Sequence, residues 1–241
     1  MIYYVGDLHA NLNAIKRIDQ ACHDGVVVQV GDFGIGFENP CPIFDYFLNT
    51  DGPQWFTCGG NHDNWDFHET GPTMPMGRFK WVPRGEIEVI DDQRHLFFGG
   101  AESVDKHSRV EGVSWWRREV PSFEETIKFL DALHFEDDLT DVSGVDVVVA
   151  HDAPSFVVDR MYGQHHAPSV MCHDLEGIYK TLSEAQQPEA WYYGHHHPDV
   201  WDLSLRDDND TETDFMCLGI ETVVSSEPNS GGPVLRPEAR R

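Results

Sequence analysis

The sequence predicts an α/β protein of one domain, with a mainly parallel layer first and a second sheet after it. Three observations predict it. Short apolar runs alternate with helical spacing through the first sixty residues. Each of those runs ends in glycine followed by polar residues. The middle of the chain then changes to consecutive strand-like runs separated by Pro, Gly and Asp-Asp.

The elements follow in order. "IYYV" is a buried strand ending at Gly6-Asp7, and "NLNAIKRIDQAC" carries Leu12, Ile15 and Ile18 at helical spacing. "GVVVQV" ends at Gly31-Asp32, "PIFDYFLN" reads as a short helix, and "QWFTCGG" ends at Asn61-His62-Asp63. "FKWVP", "EIEVI" and "RHLFFGG" read as successive strands, and we expect the second sheet to begin with the first of them. Residues 101–121 read as an irregular polar loop with aromatics. Ser122 and Glu125 form a capping box at the head of "SFEETIKFLDALHF". "VDVVVA" is a buried strand ending at His151-Asp152, and "RMYGQHHAPS" is read as loop. A helix is expected near 170–184, then "AWYYG" leads to His195-His196-His197. "VWDLSL" and "TDFMCLGIE" read as an antiparallel pair. We expect the domain to span 1–224 and residues 225–241 to form a flexible tail.

Bulk composition sets limits. A chain of 241 residues, 40% hydrophobic, can bury a sizeable single core. The net charge of -25 opposes binding to long duplex nucleic acid. It suits a salt-adapted protein as well as an ordinary acidic one. No apolar run approaches the ~20 residues of a membrane-spanning helix. The start, with no basic segment before its first strand, leads us to expect no signal peptide. Five scattered cysteines without a CxxC pair read as buried thiols in a reducing cytoplasm.

The polar residues at strand ends are Asp7, His9, Asp32, Asn61, His62, Asp63, His151, His195 and His197. Singly, each has an ordinary reading as a turn residue, a cap or a satisfied hydrogen-bonding group. Together they suit a pair of divalent cations, which needs a bridging carboxylate and several imidazole or oxygen donors. "GHHHP" is internal and short, unlike an expression tag. Taking the segment as extended, alternation turns His195 and His197 one way and His196 the other.

The blocks "GDLHAN", "GDFG", "GGNHDNW", "VVVAHDAP" and "GHHHP" resemble, in order and spacing, the calcineurin-like metallophosphoesterase superfamily. The resemblance implies a four-layer α/β/β/α sandwich with two mixed central sheets. It implies two divalent metals, with manganese first and Fe, Zn, Ni, Co or Mg as the others. Asp7, His9 and His197 would hold one metal, Asn61, His151 and His195 the other, and Asp32 would bridge them. A hydroxide shared by the metals would attack a phosphomonoester or phosphodiester. His62 would act on the leaving-group side. Asp63, like Asp152, would orient a histidine or cap a loop.

The chain departs from the family's protein phosphatases in two places. It lacks the arginine that follows their second block, and its third block ends in Asp. A small nucleotide or phosphodiester is therefore expected in preference to a phosphoprotein, with phosphate gripped by the metals or by Arg109, Arg117 or Arg118. Trp115 and Trp116 are expected to anchor their loop in preference to stacking on substrate. His165 and His166 are expected on a surface loop. Two rivals are a metal-binding regulator without turnover and a metallo-β-lactamase-like hydrolase, the latter resting on His195-x-His197-x-Asp199.

Overall fold

The computed structural model describes residues 1–37, 41–70, 77–134, 144–163, 167–185, 187–206, 212–226 and 235, apart from the side chains of 68–70, 134, 184, 185 and 202. His165 and His166 lie outside them, as does most of the expected tail.

The first half winds one parallel sheet. Strands β1 (Ile2–Val5), β2 (Val26–Gln29), β3 (Gln54–Thr57) and β4 (Phe79–Trp81) lie side by side in chain order. Helices α1 (Leu12–Ala21), α2 (Pro42–Asn49) and α3 (Trp65–Thr70) connect them. Asn11 caps α1 by accepting from the Ala14 N–H. A second sheet of six strands begins at β5 (Ile87–Ile90), which turns back into β6 (Gln93–Phe98). The turn is Asp91-Asp92, with φ of 53° and 63°, as a tight hairpin requires. After α4 (Phe123–His134), strand β7 (Val147–Ala150) adds parallel to β6. Helices α5 (Ser155–Tyr162) and α6 (Val170–Ala185) then lead to β8 (Ala190–Tyr193), parallel to β7. Strands β9 (Val200–Arg206) and β10 (Glu212–Cys217) pair antiparallel and close the sheet. Finally β11 (Val223–Ser225) returns to the first sheet, antiparallel to β1.

Strand alternation makes the four layers. Tyr3, Val5 and Val27 face α1 and α2, whereas Ile2, Tyr4 and Val28 face the other sheet. Leu96, Phe98, Val148 and Trp191 face α4 to α6, whereas Phe97, Val149 and Tyr192 face inward. Both faces of each central strand are buried, so these strands read as continuous apolar runs. The rings of Tyr4 and Tyr192 stack across the sheet interface, 3.5 Å apart and 8° from parallel. The α/β/β/α sandwich with mixed sheets is thus as expected.

Four local readings are corrected. The strand at 79–81 belongs to the first sheet, so the second begins one strand later. Helices α3 and α5 are additional to the expected elements; each opens directly after the polar segment that follows β3 or β7. Part of the segment read as loop, Arg160 to Tyr162, is the last turn of α5. The boundary at 224 cuts through β11, where Ser225 pairs with Tyr3. Leu235 also packs against the core of the first sheet and bridges to Val223. No described helix is long and apolar enough to cross a membrane.

Candidate metal centre

The carboxyl ends of β1, β2, β3, β7 and β8 meet at one edge of the sandwich, where ligand sites of parallel sheets collect. Asp7 follows β1, Asp32 follows β2, Asn61 and His62 follow β3, His151 follows β7, and His195 and His197 follow β8. Four of these residues take left-handed backbone conformations. His9 has φ 44°, Asp32 56°, His195 64° and His197 69°. Such conformations cost non-glycine residues energy and concentrate at functional sites. The turns are held from outside: the Leu8 and His9 amides both donate to the Asp32 carbonyl, at 3.0 and 2.9 Å.

This geometry replaces the extended reading of the histidine triplet. Strand β8 stops at Tyr193. His195 and His197 reach the cluster through left-handed turns, and the His196 ring lies 2.9 Å from the Asp152 carboxylate instead.

Two groups of donors share Asp32. On one side, Asp7 Oδ2 lies 3.3 Å from His197 Nε2 and 3.9 Å from His9 Nε2, and Asp32 Oδ2 lies 3.8 Å from His9 Nε2. On the other, Asp32 Oδ1 and Asn61 Oδ1 each lie 3.2 Å from His151 Nε2, with His195 Nδ1 2.9 Å from Asn61 Oδ1. Asp7 Oδ2 and Asp32 Oδ2 are fully buried and have no hydrogen-bond partner. Buried carboxylate oxygens without donors are costly, and cations placed among these imidazoles would satisfy them. The donor set therefore fits a divalent-metal centre. His62 is close as well: His9, Asp32 and His62 offer atoms within 4.8 Å of one another.

The ionisation pattern has the same cause. Burial disfavours a charged His151 ring, but Asp32 and Asp7 outweigh it and lift its pKa to about 10. Burial opposes the ionised Asp32, yet His151, His62 and His9 hold it well below the usual range. The enclosed carboxylates demand positive charge. Burial pushes His195 down to about 4, so its ring is neutral with a lone pair free for a metal. His151 Nδ1 lies 2.8 Å from the Val30 carbonyl, which turns Nε2 to the cluster. Glycine gives the room: a Cβ at Gly194 would stand 2.1 Å from Asp7 Oδ1, and one at Gly60 2.2 Å from Asp32.

The neighbours divide by role. Among the described residues, the Asp63 carboxylate pairs with no histidine ring. It accepts from the backbone N–H groups of Phe33, Gly34, Ile35 and Gly60, clamping the loops after β2 and β3 together. Burial and Asp32 lift its pKa to about 7 against those donors. We therefore assign Asp63 to holding these loops and not to the reaction. Arg109 Nη2 lies 3.1 Å from His62 Nε2, and Asp105 pairs with the same guanidinium at 2.8 Å. Burial, more than the charge of Arg109, lowers the His62 pKa. Arg117 projects into solvent and pairs with Glu111. Trp116 is buried and donates to Asp66, and Trp115 donates to Glu119, so both tie down the loop. Asp199 accepts from the Gly219 amide, away from the cluster.

Two residues escaped the sequence reading. Ser103 accepts from Asn61 Nδ2 at 3.3 Å and donates to Glu119, which is itself buried. Sixteen residues separate Ser103 from Glu119 in an aperiodic loop, and no pattern marks either. Arg84 fixes this loop by donating to the Arg118 and Glu119 carbonyls while lying over the Trp65 ring.

A set of donors for divalent cations at the edge of two stacked sheets suits a metallohydrolase site. The family model for calcineurin-like phosphoesterases matches residues 1–199, and the chain belongs to that family. The matched span takes in every residue of the cluster. Among solved structures, the sulfate thiohydrolase SoxB of Thermus thermophilus, in complex with glycerol, is similar at 12% identity and a TM-score of 0.45. That likeness covers 91% of this chain and 40% of the other. No curated protein matches. The metallo-β-lactamase-like and regulatory readings are not favoured.

Proposed function

We propose that this chain hydrolyses small phosphate esters, nucleotides or phosphodiesters in preference to phosphoproteins, in the cytoplasm. Asp7, His9 and His197 would hold one divalent cation, Asn61, His151 and His195 a second, and Asp32 would serve both. The observation that carries the reading is Asp32 itself, whose two oxygens face different histidines, Oδ2 toward His9 and Oδ1 toward His151. When bound, two such cations supply charge neutralisation at the phosphoryl oxygens and activation of the attacking water. Manganese is the first choice among metals that suit imidazole and carboxylate.

The chain's own residues do the rest. Asp32 fixes the spacing of the two halves. His62 stands at the rim, where it gives a proton to the departing ester oxygen. Arg109, already 3.1 Å from His62, donates to the phosphoryl oxygens and replaces the arginine missing after Asp32. Ile35 and Gly36 stand in that region instead. The preference for a small ester is supported by that missing arginine and by the charge of -25, which repels long polyanions.

The test is a panel of mono-, di- and cyclic phosphates, each with Mn²⁺, Ni²⁺, Zn²⁺ and Mg²⁺. Turnover of small esters in preference to a phosphopeptide is expected. Absence of turnover with every metal, or a preference for the phosphopeptide, contradicts the reading.

A further inference from the structure

A cavity of about 530 Å³ opens directly beside His9 and His62. Its walls are Leu12, Phe37, Cys41, Pro42 and Ile43, from the start of α1 and the approach to α2. Apart from the two histidines at its mouth, no titratable nitrogen or carboxylate lines it among the described residues. Phe37 is 48% exposed and meets the Trp116 ring edge-on at 5.4 Å, so an aromatic face is left open next to the reacting groups. The size falls within the range of small-molecule sites, which are mostly apolar with a few polar groups at one end.

We infer that this cavity receives the leaving group of the substrate, and that this group is an uncharged, ring-bearing alcohol or phenol. The inference rests on the phosphoesterase reading and names its substrate class. The phosphoryl group lies at the cluster while His62 stands between cluster and cavity. A ring on the ester oxygen then extends over His9 and His62 onto Phe37, Leu12 and Ile43. A charged or heavily hydrated leaving group would lose its water against the hydrocarbon of Leu12, Phe37 and Ile43. In the reaction, water forms a new P–O bond, the ester P–O bond breaks, and the departing oxygen takes a proton. The products are the free alcohol and phosphate, or a phosphomonoester when the substrate is a diester.

Cys41 supplies a readout that does not require turnover. It is the one partly exposed cysteine of the five, the other four being buried. Alkylation of Cys41 by N-ethylmaleimide is measured with 1-naphthylmethylphosphonate or methylphosphonate present. The naphthyl compound is expected to slow labelling at least about tenfold and the methyl compound to leave it nearly unchanged, as hydrophobic discrimination of this size allows. In parallel, kcat/KM for 1-naphthyl phosphate should exceed that for glycerol 1-phosphate by about tenfold or more. Phe37→Ala should raise KM for the naphthyl ester more than for the glycerol ester, a measurement independent of thiol access. Equal protection by both phosphonates, or a preference for glycerol phosphate, overturns the assignment. Hydrolysis without protection overturns the cavity assignment alone. Protection without hydrolysis of any ester overturns the phosphoesterase reading, and the leaving-group role falls with it.

Discussion

The side-chain amide of Asn61 donates to the Ser103 hydroxyl at 3.3 Å, and this contact decides which end of the amide faces the metal centre. Ser103 gives its own proton to Glu119, at 2.9 Å, so toward Asn61 it can only accept. Asn61 must then present its oxygen to His151 and His195. Removing the hydroxyl in Ser103→Ala frees the amide to rotate. Calorimetric titration with Mn²⁺ should show weaker binding at one of two sites, by about 10–100-fold, the usual effect of removing such a supporting contact. An unchanged affinity would mean that Asn61 is held some other way.

Asp32 and His62 should separate under substitution. Asp32→Asn takes away the charge shared by both halves of the centre, so metal content and activity should fall together. His62→Ala should lower kcat by about 10²–10⁴ while two metals stay bound, as loss of a proton donor does. Elemental analysis of the purified variants decides between roles. Loss of metal from His62→Ala would make His62 a ligand, which its proximity to His9 and Asp32 permits.

Stability away from the centre rests in part on Asp19. It accepts from the Trp55 indole at 2.9 Å, the Tyr46 hydroxyl at 2.6 Å and both terminal nitrogens of Arg78 at 2.6 Å. Arg78 also lies 4.8 Å above the Phe47 ring. The side chains are 5% and 10% exposed, so Asp19→Ala leaves a guanidinium nearly buried without its partner. Breaking such a pair costs about 3–5 kcal/mol. Urea unfolding should show that loss, and a change below 1 kcal/mol would place the pair in effectively aqueous surroundings.

His95 should make stability depend on pH. It is buried between the sheets, where Tyr4 Oη lies 2.8 Å from Nε2 and the Gln93 carbonyl 3.0 Å from Nδ1. Burial holds its pKa below the ordinary 6.5 and keeps the Tyr4 hydroxyl protonated as a donor. Between the folded pKa and 6.5, the unfolded chain therefore binds more protons than the native one. The contribution of a neutral His95 is complete above pH 6.5 and declines as pH falls through the range below it. His95→Gln should flatten the pH dependence of the urea midpoint between pH 7 and 5, whatever it does to stability at pH 7. Parallel curves for the two proteins would contradict this.

Much of the centre was legible because its residues follow buried strands. A run such as "VVVQV" announces a strand, and in a parallel sheet the residue after it is delivered to a common edge. Asp7, Asp32, Asn61, His151 and His195 could be placed together on that argument. Extended geometry does not hold at the histidine triplet. His195 and His197 face the cluster through left-handed turns, and such turns in histidine leave no mark on hydrophobic period. The carboxylate of Asp63 could equally have served a ring or a backbone, since its surroundings come from Phe33, Gly34 and Ile35, about thirty residues earlier.

By itself, then, the sequence determined a parallel layer followed by a second sheet, the burial of the central strands and the set of residues brought to one edge. These follow from short-range alternation and from residue chemistry, both of which are written locally. Only the tertiary structure decided that β4 stays with the first sheet, that β11 pairs with β1, and that Ser103 and Glu119 orient Asn61. It alone shows an apolar cavity beside His9 and His62. Each of these depends on which distant backbone supplies a donor or a wall, and such choices are settled by how whole layers pack.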